Sequence, residues 1–210
     1  MGVTAKDVKE LREATGAGMM DCKKALQECG GDFDKASNWL REKGIASAAK
    51  RQDREAKEGA IASYIHMGGK IGVLVEVNCE TDFVARGEHF QEFCKNVCLQ
   101  ICSTAPRWVR SDEAAPDEIE AEKAIYAVQA KESGKPENVQ QKIVEGKLVK
   151  WLKENSLLDQ EFVKNPDVTI EELMKELSGK IGEKIDIRRF VRFQLGEALE
   201  GKKPAAANEE

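Results

Sequence analysis

The amino-acid sequence predicts an α+β protein: a small helical module at the N-terminus, followed by a core in which a three-stranded antiparallel sheet packs on helices. Up to Gly44, short amphipathic patterns with helical spacing are separated by glycines. Apolar residues then recur at every second position in two stretches, 60–78 and 185–195. Long helical patterns fill the chain between them. Helices and strands in separate stretches are typical of α+β proteins.

Three helices are predicted in the first part of the chain. Thr4 and Asp7 have the spacing of a capping box, and Gly16 ends the first helix. The apolar stripe of the second helix consists of Met19, Cys22, Ala25, Leu26 and Cys29. The third helix is expected to start at Asp32 and to end at Gly44, with Phe33, Ala36 and Leu40 on its packed side. Helices this short are marginal alone in water, so we expect them to pack together as a module over 1–45.

The core is expected over 59–196, after a charged, alanine-rich helical linker at 46–58. Residues 60–66 and 71–78 predict a β-hairpin around Gly68 and Gly69, with Val73, Val75 and Val77 on a buried face. A long helix over about 90–102, helices at 117–132 and 137–154, and a capping box at Thr169 follow. The last strand carries alternating apolar residues, namely Ile185, Ile187, Val191, Phe193 and Leu195. The tail, 197–210, is expected to be mobile.

Composition excludes several classes of protein. A net charge of −5 argues against nonspecific nucleic-acid binding as the main activity. The sequence has no apolar run long enough to span a bilayer, and it enters an amphipathic pattern at once, so we expect neither a membrane segment nor a signal peptide. Cys94, Cys98 and Cys102 recur on one helix face, but their spacing matches no metal or cluster motif. The simpler interpretation is that they pack in the core as small apolar residues. Reduced thiols are typical of a cytosol-like compartment.

No constellation of residues predicts an enzyme or a cofactor site. His66 and His89 stand alone, without a nucleophile at an informative spacing. The only phosphate-loop candidate, Gly16-Ala17-Gly18, lacks the preceding strand and the lysine that such loops need, so it is better explained as a turn between helices. We therefore expect no catalytic group, cofactor or metal of its own.

Two features are explained less well by structure alone. Met20 lies about 100° around the second helix from Met19, so it should face outward, and Arg12 is nearby in sequence. Exposed thioethers often occur on surfaces that bind protein partners. The second feature is the 81–84 segment, defined as Thr81, Asp82, Phe83 and Val84, which follows the hairpin. Phe83 could staple the next helix, or it could be an aromatic wedge offered to a partner. Composition leaves both interpretations open.

Longer motifs point to a known family. Residues 11–26, LREATGAGMMDCKKAL, and 76–86, EVNCETDFVAR, are similar to the two signatures of the elongation factor Ts family. The stretches 133–136, 144–147 and 160–163 resemble the C-terminal part of the same family. The resemblance thus covers nearly the whole chain in the right order.

The resemblance implies a fold and an activity. It implies an N-terminal module like ubiquitin-associated domains, then a dimerisation-type core. The implied activity is nucleotide exchange on the GTPase elongation factor Tu in its GDP form, in the cytoplasm or in an organellar matrix or stroma. By the family pattern the 81–84 segment enters the GTPase, where Asp82 and Phe83 dislodge Mg²⁺, and Arg12, Met19 and Met20 contact it from the module. Neither a membrane nor direct nucleic-acid binding is implied.

The chain departs from longer family members, whose core is duplicated. A single hairpin-plus-strand set is present here, which suggests that two chains pair as a homodimer to complete the core. One alternative is a ubiquitin-associated-type adaptor that binds a protein without exchanging nucleotide, which would make Phe83 dispensable. Another is a redox or metal protein that uses Cys94, Cys98 and Cys102.

Overall fold

The computed structural model describes residues 3–66 and 68–198. In chain order the elements are α1 (Ala5–Thr15), α2 (Met19–Glu28), α3 (Phe33–Ala49), β1 (Glu58–His66), β2 (Ile71–Cys79), α4 (Asp82–Ala85), α5 (Glu88–Thr104), α6 (Pro116–Glu132), α7 (Glu137–Asn155), β3 (Glu161–Phe162), β4 (Asn165–Thr169), α8 (Ile170–Ile181) and β5 (Asp186–Gln194). The predicted α+β class is confirmed. Apart from 197 and 198, the predicted mobile tail lies outside the described residues.

The first three helices pack around a small apolar cluster. The capping box of α1 is present, with Thr4 Oγ1 accepting from the Asp7 N–H at 3.2 Å, and Gly16 ends the helix in the left-handed conformation at φ 68°. The cluster consists of Val8, Leu11, Cys22, Ala25, Leu26, Ala36 and Leu40. Phe33 was expected on the packed side of α3, but it is exposed because it starts the helix, before the first packed turn.

The third helix does not end at Gly44, and that prediction is wrong. It continues to Ala49, so part of the expected linker extends α3. Glycine disfavours a helix by about 1 kcal/mol, but the backbone of α3 at Gly44 lies against Gly179 of α8, which has no side chain to keep the two helices apart. Ala48, one turn further on, is buried. Contact with α8, which is far away in sequence, therefore stabilises the alanine-rich stretch that continues α3.

Polar contacts add to the α3–α8 packing. Arg41 forms an ion pair with Glu176 of α8. Arg51, just beyond α3, donates from Nη1 to the carbonyl oxygen of Ser178 at 3.3 Å. The helix that closes the N-terminal module is thus fixed directly to a helix of the core.

The predicted sheet is confirmed, in the order β1-β2-β5 with both pairs antiparallel. Val73, Val75 and Val77 of the central strand β2 are buried, as the alternation predicts. They pack against α5, whose Phe90, Val97 and Ile101 are fully buried. The face of the sheet that carries these valines therefore forms one wall of the main core.

A β-bulge changes the facing of the last strand. Val77 pairs with Ile187, but Glu76 pairs with Arg189, so Arg188 has no partner in the register. A strict alternation would put all the apolar residues of this strand on one face, but an inserted residue reverses the facing beyond it. Phe190 therefore packs towards the core, and Val191, Phe193 and Leu195 are exposed. The alternating pattern by itself gives the wrong face for these three residues.

The remaining helices follow the predicted boundaries closely. α6 and α7 pack against each other, and α8 begins with the predicted capping box of Thr169 and Glu172. The short β3–β4 ladder was not predicted, because its pairs are too few to leave a periodic pattern. None of the helices in 3–66 and 68–198 is long and apolar enough to cross a membrane.

Candidate functional site

The 81–84 segment follows β2 directly and forms a turn of helix. α4 spans Asp82–Ala85, so the segment is helical and is not an extended connection between β2 and α5. Thr81 caps the turn, since its Oγ1 accepts from the Val84 N–H at 3.4 Å. A short polar residue before a helix favours such a turn because it satisfies an N–H that has no partner within the helix.

The side chains of α4 divide between the core and the solvent. Ala85 is buried, and Val84 packs partly against the main core. Phe83 points away and is 84 % exposed. The interpretation that Phe83 staples the next helix is therefore wrong. Helix α5 is fixed by Phe90 and Phe93 instead, both of them buried. Val84 and Ala85 thus anchor the segment to the core, and the ring of Phe83 is exposed to solvent.

Asp82 lies beside Phe83 on the exposed surface. Its Oδ2 accepts from Nη2 of Arg86 at 2.6 Å, one helical turn on. Both side chains are well exposed, and ion pairs of this kind contribute about 0–1 kcal/mol. The Asp82 carboxylate is therefore held only weakly in the free protein, and a partner could engage it at little cost.

Glu80 connects this corner of the core to the region before β1. Its carboxylate accepts from the Lys184 N–H at 2.6 Å and from Nη1 of Arg54 at 3.2 Å. The Lys184 hydrogen bond is the main reason that the pKa of Glu80 lies below its ordinary value, and Arg54 contributes. Glu80 belongs to the 76–86 motif, but no local pattern indicates that it makes these contacts, because Arg54 and Lys184 are distant in the chain.

The candidate contacts of the N-terminal module lie on its surface. Arg12 on α1 is exposed, and Met20 is 74 % exposed, as its position around the helix predicts. Met19 was expected in the packed stripe but is 48 % exposed, so that prediction is wrong. As the first residue of α2, it lies beyond the packed layer, which starts one turn later at Cys22. The two methionines therefore stand side by side on the surface.

A groove of about 570 Å³ separates the module from the core. Gly18 and Asp21 line it on the module side, next to Met19 and Met20 in sequence. His89 and Glu92 line it on the core side, on the helix that follows the 81–84 segment. The groove is thus lined by sequence neighbours of both sets of candidate contact residues, although those residues themselves do not line it.

Groups that could carry chemistry of their own are scarce. No cluster of His, Cys, Asp and Glu in 3–66 and 68–198 has the arrangement of a metal site. His66 lies with Nδ1 at 2.8 Å from the Tyr64 hydroxyl, on the sheet edge. Cys94, Cys98 and Cys102 are buried in the main core, which confirms the packing interpretation. Burial raises the pKa of Cys94 to about 12 and that of Cys98 to about 11.

This burial predicts the reactivity of the thiols. A thiol reacts as its thiolate, so these raised pKa values and poor access should protect the buried cysteines at pH 8. Cys29 is the partly exposed thiol among the six, and we expect it to react fast with a disulfide reagent such as DTNB while the others lag. Six equivalents should appear in denaturant, and Cys29→Ser should remove the fast phase. Fast native labelling of Cys94 or Cys98 would contradict this packing.

Comparison with known proteins identifies the family. The family model described as elongation factor TS matches residues 5–197. Elongation factor Ts of Geobacter metallireducens is 54 % identical over 209 residues, covering 100 % of this chain and 97 % of the relative. That of Syntrophobacter fumaroxidans is 57 % identical over 194 residues, 92 % of this chain and 97 % of the relative. A match of this extent, with both signatures in place, shows that the chain belongs to the elongation factor Ts family of translation elongation factors.

Proposed function

We propose that this protein is the guanine-nucleotide exchange factor of elongation factor Tu. It binds the GDP form of that GTPase, inserts the 81–84 segment, dislodges Mg²⁺ and so releases GDP, after which GTP binds. The observation that carries the proposal is the exposure of Phe83 on a helical turn that is rooted in the core. The chain itself makes and breaks no bond in this scheme.

An exposed, anchored aromatic ring suits insertion into a partner. Burying the ring of Phe83 against a partner would contribute about 1.5–3 kcal/mol of binding free energy. In the free protein this ring is not buried. Aromatic side chains that fill a pocket at the centre of an interface carry much of its binding energy. Because Thr81 caps the turn and Val84 anchors it to the core, little backbone freedom remains to be lost when Phe83 binds.

Release of GDP then follows from linkage between the two ligands of the GTPase. If the factor lowers the affinity for GDP, then GDP lowers the affinity for the factor by the same ratio. A divalent ion is among the largest charges near a bound phosphate, so displacing Mg²⁺ weakens the hold on GDP. Asp82 is suited to take part, since its pair with the exposed Arg86 opens easily.

Phe83 alone supplies too little energy to displace a tightly bound nucleotide. A nanomolar complex corresponds to about 12 kcal/mol, several times the worth of one aromatic ring. Arg12, Met19 and Met20 supply a second contact surface from the module, and thioethers adapt well to partner surfaces. The packing of α3 on α8 keeps this surface at a defined distance from the 81–84 segment.

Release of a fluorescent GDP analogue from elongation factor Tu, in excess unlabelled GDP and millimolar Mg²⁺, tests the proposal. We expect the full-length protein to accelerate release in a saturable way. The adaptor alternative predicts a complex, detectable by gel filtration, without faster release. If elongation factor Tu neither binds this protein nor releases nucleotide faster in its presence, both the exchange proposal and the adaptor alternative are refuted.

We also propose that two chains pair through the outer face of the sheet. Several apolar side chains are exposed there, namely Ile61, Ile65, Leu74, Val191 and Phe193. Leu74 pairs with Val191 in the register, so the patch is continuous across β2 and β5. Contiguous exposed apolar residues of this kind mark interaction surfaces, and a second copy presents a matching face.

The pairing predicts that Phe193→Glu yields a monomer. A carboxylate in the middle of an apolar interface would have to be desolvated without a partner, which is strongly unfavourable. Sedimentation equilibrium at micromolar protein should show a dimer for the parent and a monomer for the variant. Ile125→Glu, at an exposed apolar position on α6 away from the sheet, should leave the dimer intact. A monomeric parent would contradict the pairing.

A further inference from the structure

Glu183 makes direct contact with the base of the 81–84 segment. It lies in the turn between α8 and β5, about one hundred residues away in sequence. Its Oε2 accepts from the backbone N–H groups of Glu80 and Thr81, each at 3.0 Å. Its Oε1 accepts from the Thr81 hydroxyl at 2.7 Å. One carboxylate thus receives three hydrogen bonds from two consecutive residues.

The hydroxyl of Thr81 relays this contact to α4. Because its proton is donated to Glu183, a lone pair of Oγ1 is left to accept from the Val84 N–H. The carbonyl oxygen of Thr81 accepts from the Ala85 N–H at 3.2 Å and from the Cys79 thiol at 3.1 Å. Every polar group of Thr81 is therefore occupied within the chain, which makes it an anchor of the segment.

A second set of contacts holds the same corner from the other side. The Lys184 ammonium, next to Glu183, donates to the carbonyl oxygens of Gln52 at 2.7 Å and Arg54 at 2.9 Å. The stretch between α3 and β1 is thus fixed at the place where the 81–84 segment is held. The ring of Phe83 is exposed, so the direction in which it points depends on how its backbone is held, both by these contacts and by the packing of Val84 and Ala85.

We propose that Glu183 is a positioning residue for nucleotide exchange: by holding Thr81 it aims Phe83 at the partner. This rests on the proposed exchange function. A carboxylate that merely stabilised the fold would affect folding and leave the bound complex unchanged. A positioning carboxylate acts through Phe83, so its loss should lower the rate within the complex.

The test compares the parent, Glu183→Ala, Glu183→Gln, Phe83→Ala and the Phe83→Ala/Glu183→Ala double variant. GDP release is measured by stopped flow over a range of factor concentrations, which separates the maximal rate from the half-saturating concentration. For Glu183→Ala we expect a maximal rate about tenfold lower, a barrier change of about 1.4 kcal/mol. The half-saturating concentration should stay within about twofold, because the module contacts are intact. Glu183→Gln keeps the shape and some acceptors, and should lie between Glu183→Ala and the parent.

The double variant distinguishes positioning from general stabilisation. If Glu183 acts through Phe83, the double variant should be no slower than Phe83→Ala, since residues that act as a unit are not additive. Glu171→Gln, which loses an ion pair with Lys175 within α8, is the matched control and should exchange like the parent. Thermal unfolding of every variant confirms that it is folded. If Glu183→Ala does not fold, Glu183→Gln takes its place in the comparison.

The outcomes separate the two proposals. A parent that does not accelerate GDP release refutes the exchange function itself. If the parent is active and Glu183→Ala and Glu183→Gln match its maximal rate, the positioning role is refuted and the exchange function stands. The positioning role is also refuted if the double variant is slower than Phe83→Ala by the full effect of Glu183→Ala.

Discussion

Alanine at position 83 is expected to remove most of the acceleration of GDP release. The ring of Phe83 is 84 % exposed in the free protein, so its loss should cost the fold little. In the complex it should act as a buried anchor, whose truncation costs about 2 kcal/mol or more, which is roughly a 30-fold loss of rate. Release of fluorescent GDP at saturating factor measures the effect.

Phe33→Ala provides the matched control for this substitution. Phe33 is also an exposed aromatic residue at the start of a helix, but it lies outside the proposed contact set. We expect Phe33→Ala to exchange like the parent and both variants to keep the melting temperature of the parent within a few degrees. Equal activity of Phe83→Ala and the parent would mean that the segment does not act as a wedge.

The second large effect is expected at the crossing of α3 and α8. A Cβ added at Gly179 would lie 2.5 Å from the Cα and 2.8 Å from the carbonyl carbon of Gly44. Backbone atoms cannot move aside as a flexible side chain can, so Gly179→Ala should force the helices apart. Overpacking of this kind costs about 1–3 kcal/mol, to be measured as free energy of unfolding by denaturant titration.

Two other glycines make this prediction specific. A Cβ at Gly44 would be 3.6 Å from the Gly179 Cα, and one at Gly146 in α7 would meet nothing within 4 Å. Alanine at either helical position should be neutral or stabilising by up to about 1 kcal/mol, since glycine disfavours a helix. The same substitution should thus have opposite signs at Gly146 and Gly179. Stabilisation by Gly179→Ala would show that the helices do not approach so closely.

Local signals predicted much of the fold. The capping boxes at Thr4 and Thr169 and the hairpin around Gly68 and Gly69 each depend on residues only a few positions apart. Such features are encoded within a short window, and the structure contains them where the sequence predicts them. The burial of Val73, Val75 and Val77 followed from the same local periodicity.

Features that depend on distant residues were not predictable. The bulge at Arg188 depends on pairing with β2, and no local pattern indicates an inserted residue. The continuation of α3 through Gly44 depends on α8, more than a hundred residues away. In both places tertiary contacts override the local pattern, which is why the alternation alone gives Val191 the wrong face and why the end of α3 was predicted wrongly.

In the candidate site, too, local features were predictable from the sequence and features that depend on distant residues were not. The motif around Phe83 points to the segment that we propose as the site, but spacing could not distinguish a staple from an exposed wedge, because that depends on whether a pocket lies within reach. The contact between Glu183 and Thr81 left no signal in the sequence at all, since Glu183 lies in a turn after α8 and reaches Thr81 only in the folded chain. An exposed aromatic residue beside a well-anchored backbone becomes recognisable only in three dimensions.

The most direct test of the central claim is photocrosslinking from position 83. A photoreactive phenylalanine analogue is placed at 83, or at 33 as the control, and each protein is irradiated with nucleotide-free elongation factor Tu. If Phe83 enters the GTPase, position 83 should crosslink efficiently to the nucleotide-binding domain, position 33 should not, and excess GDP should suppress the product. A saturated complex with no crosslink from 83 would contradict insertion of Phe83.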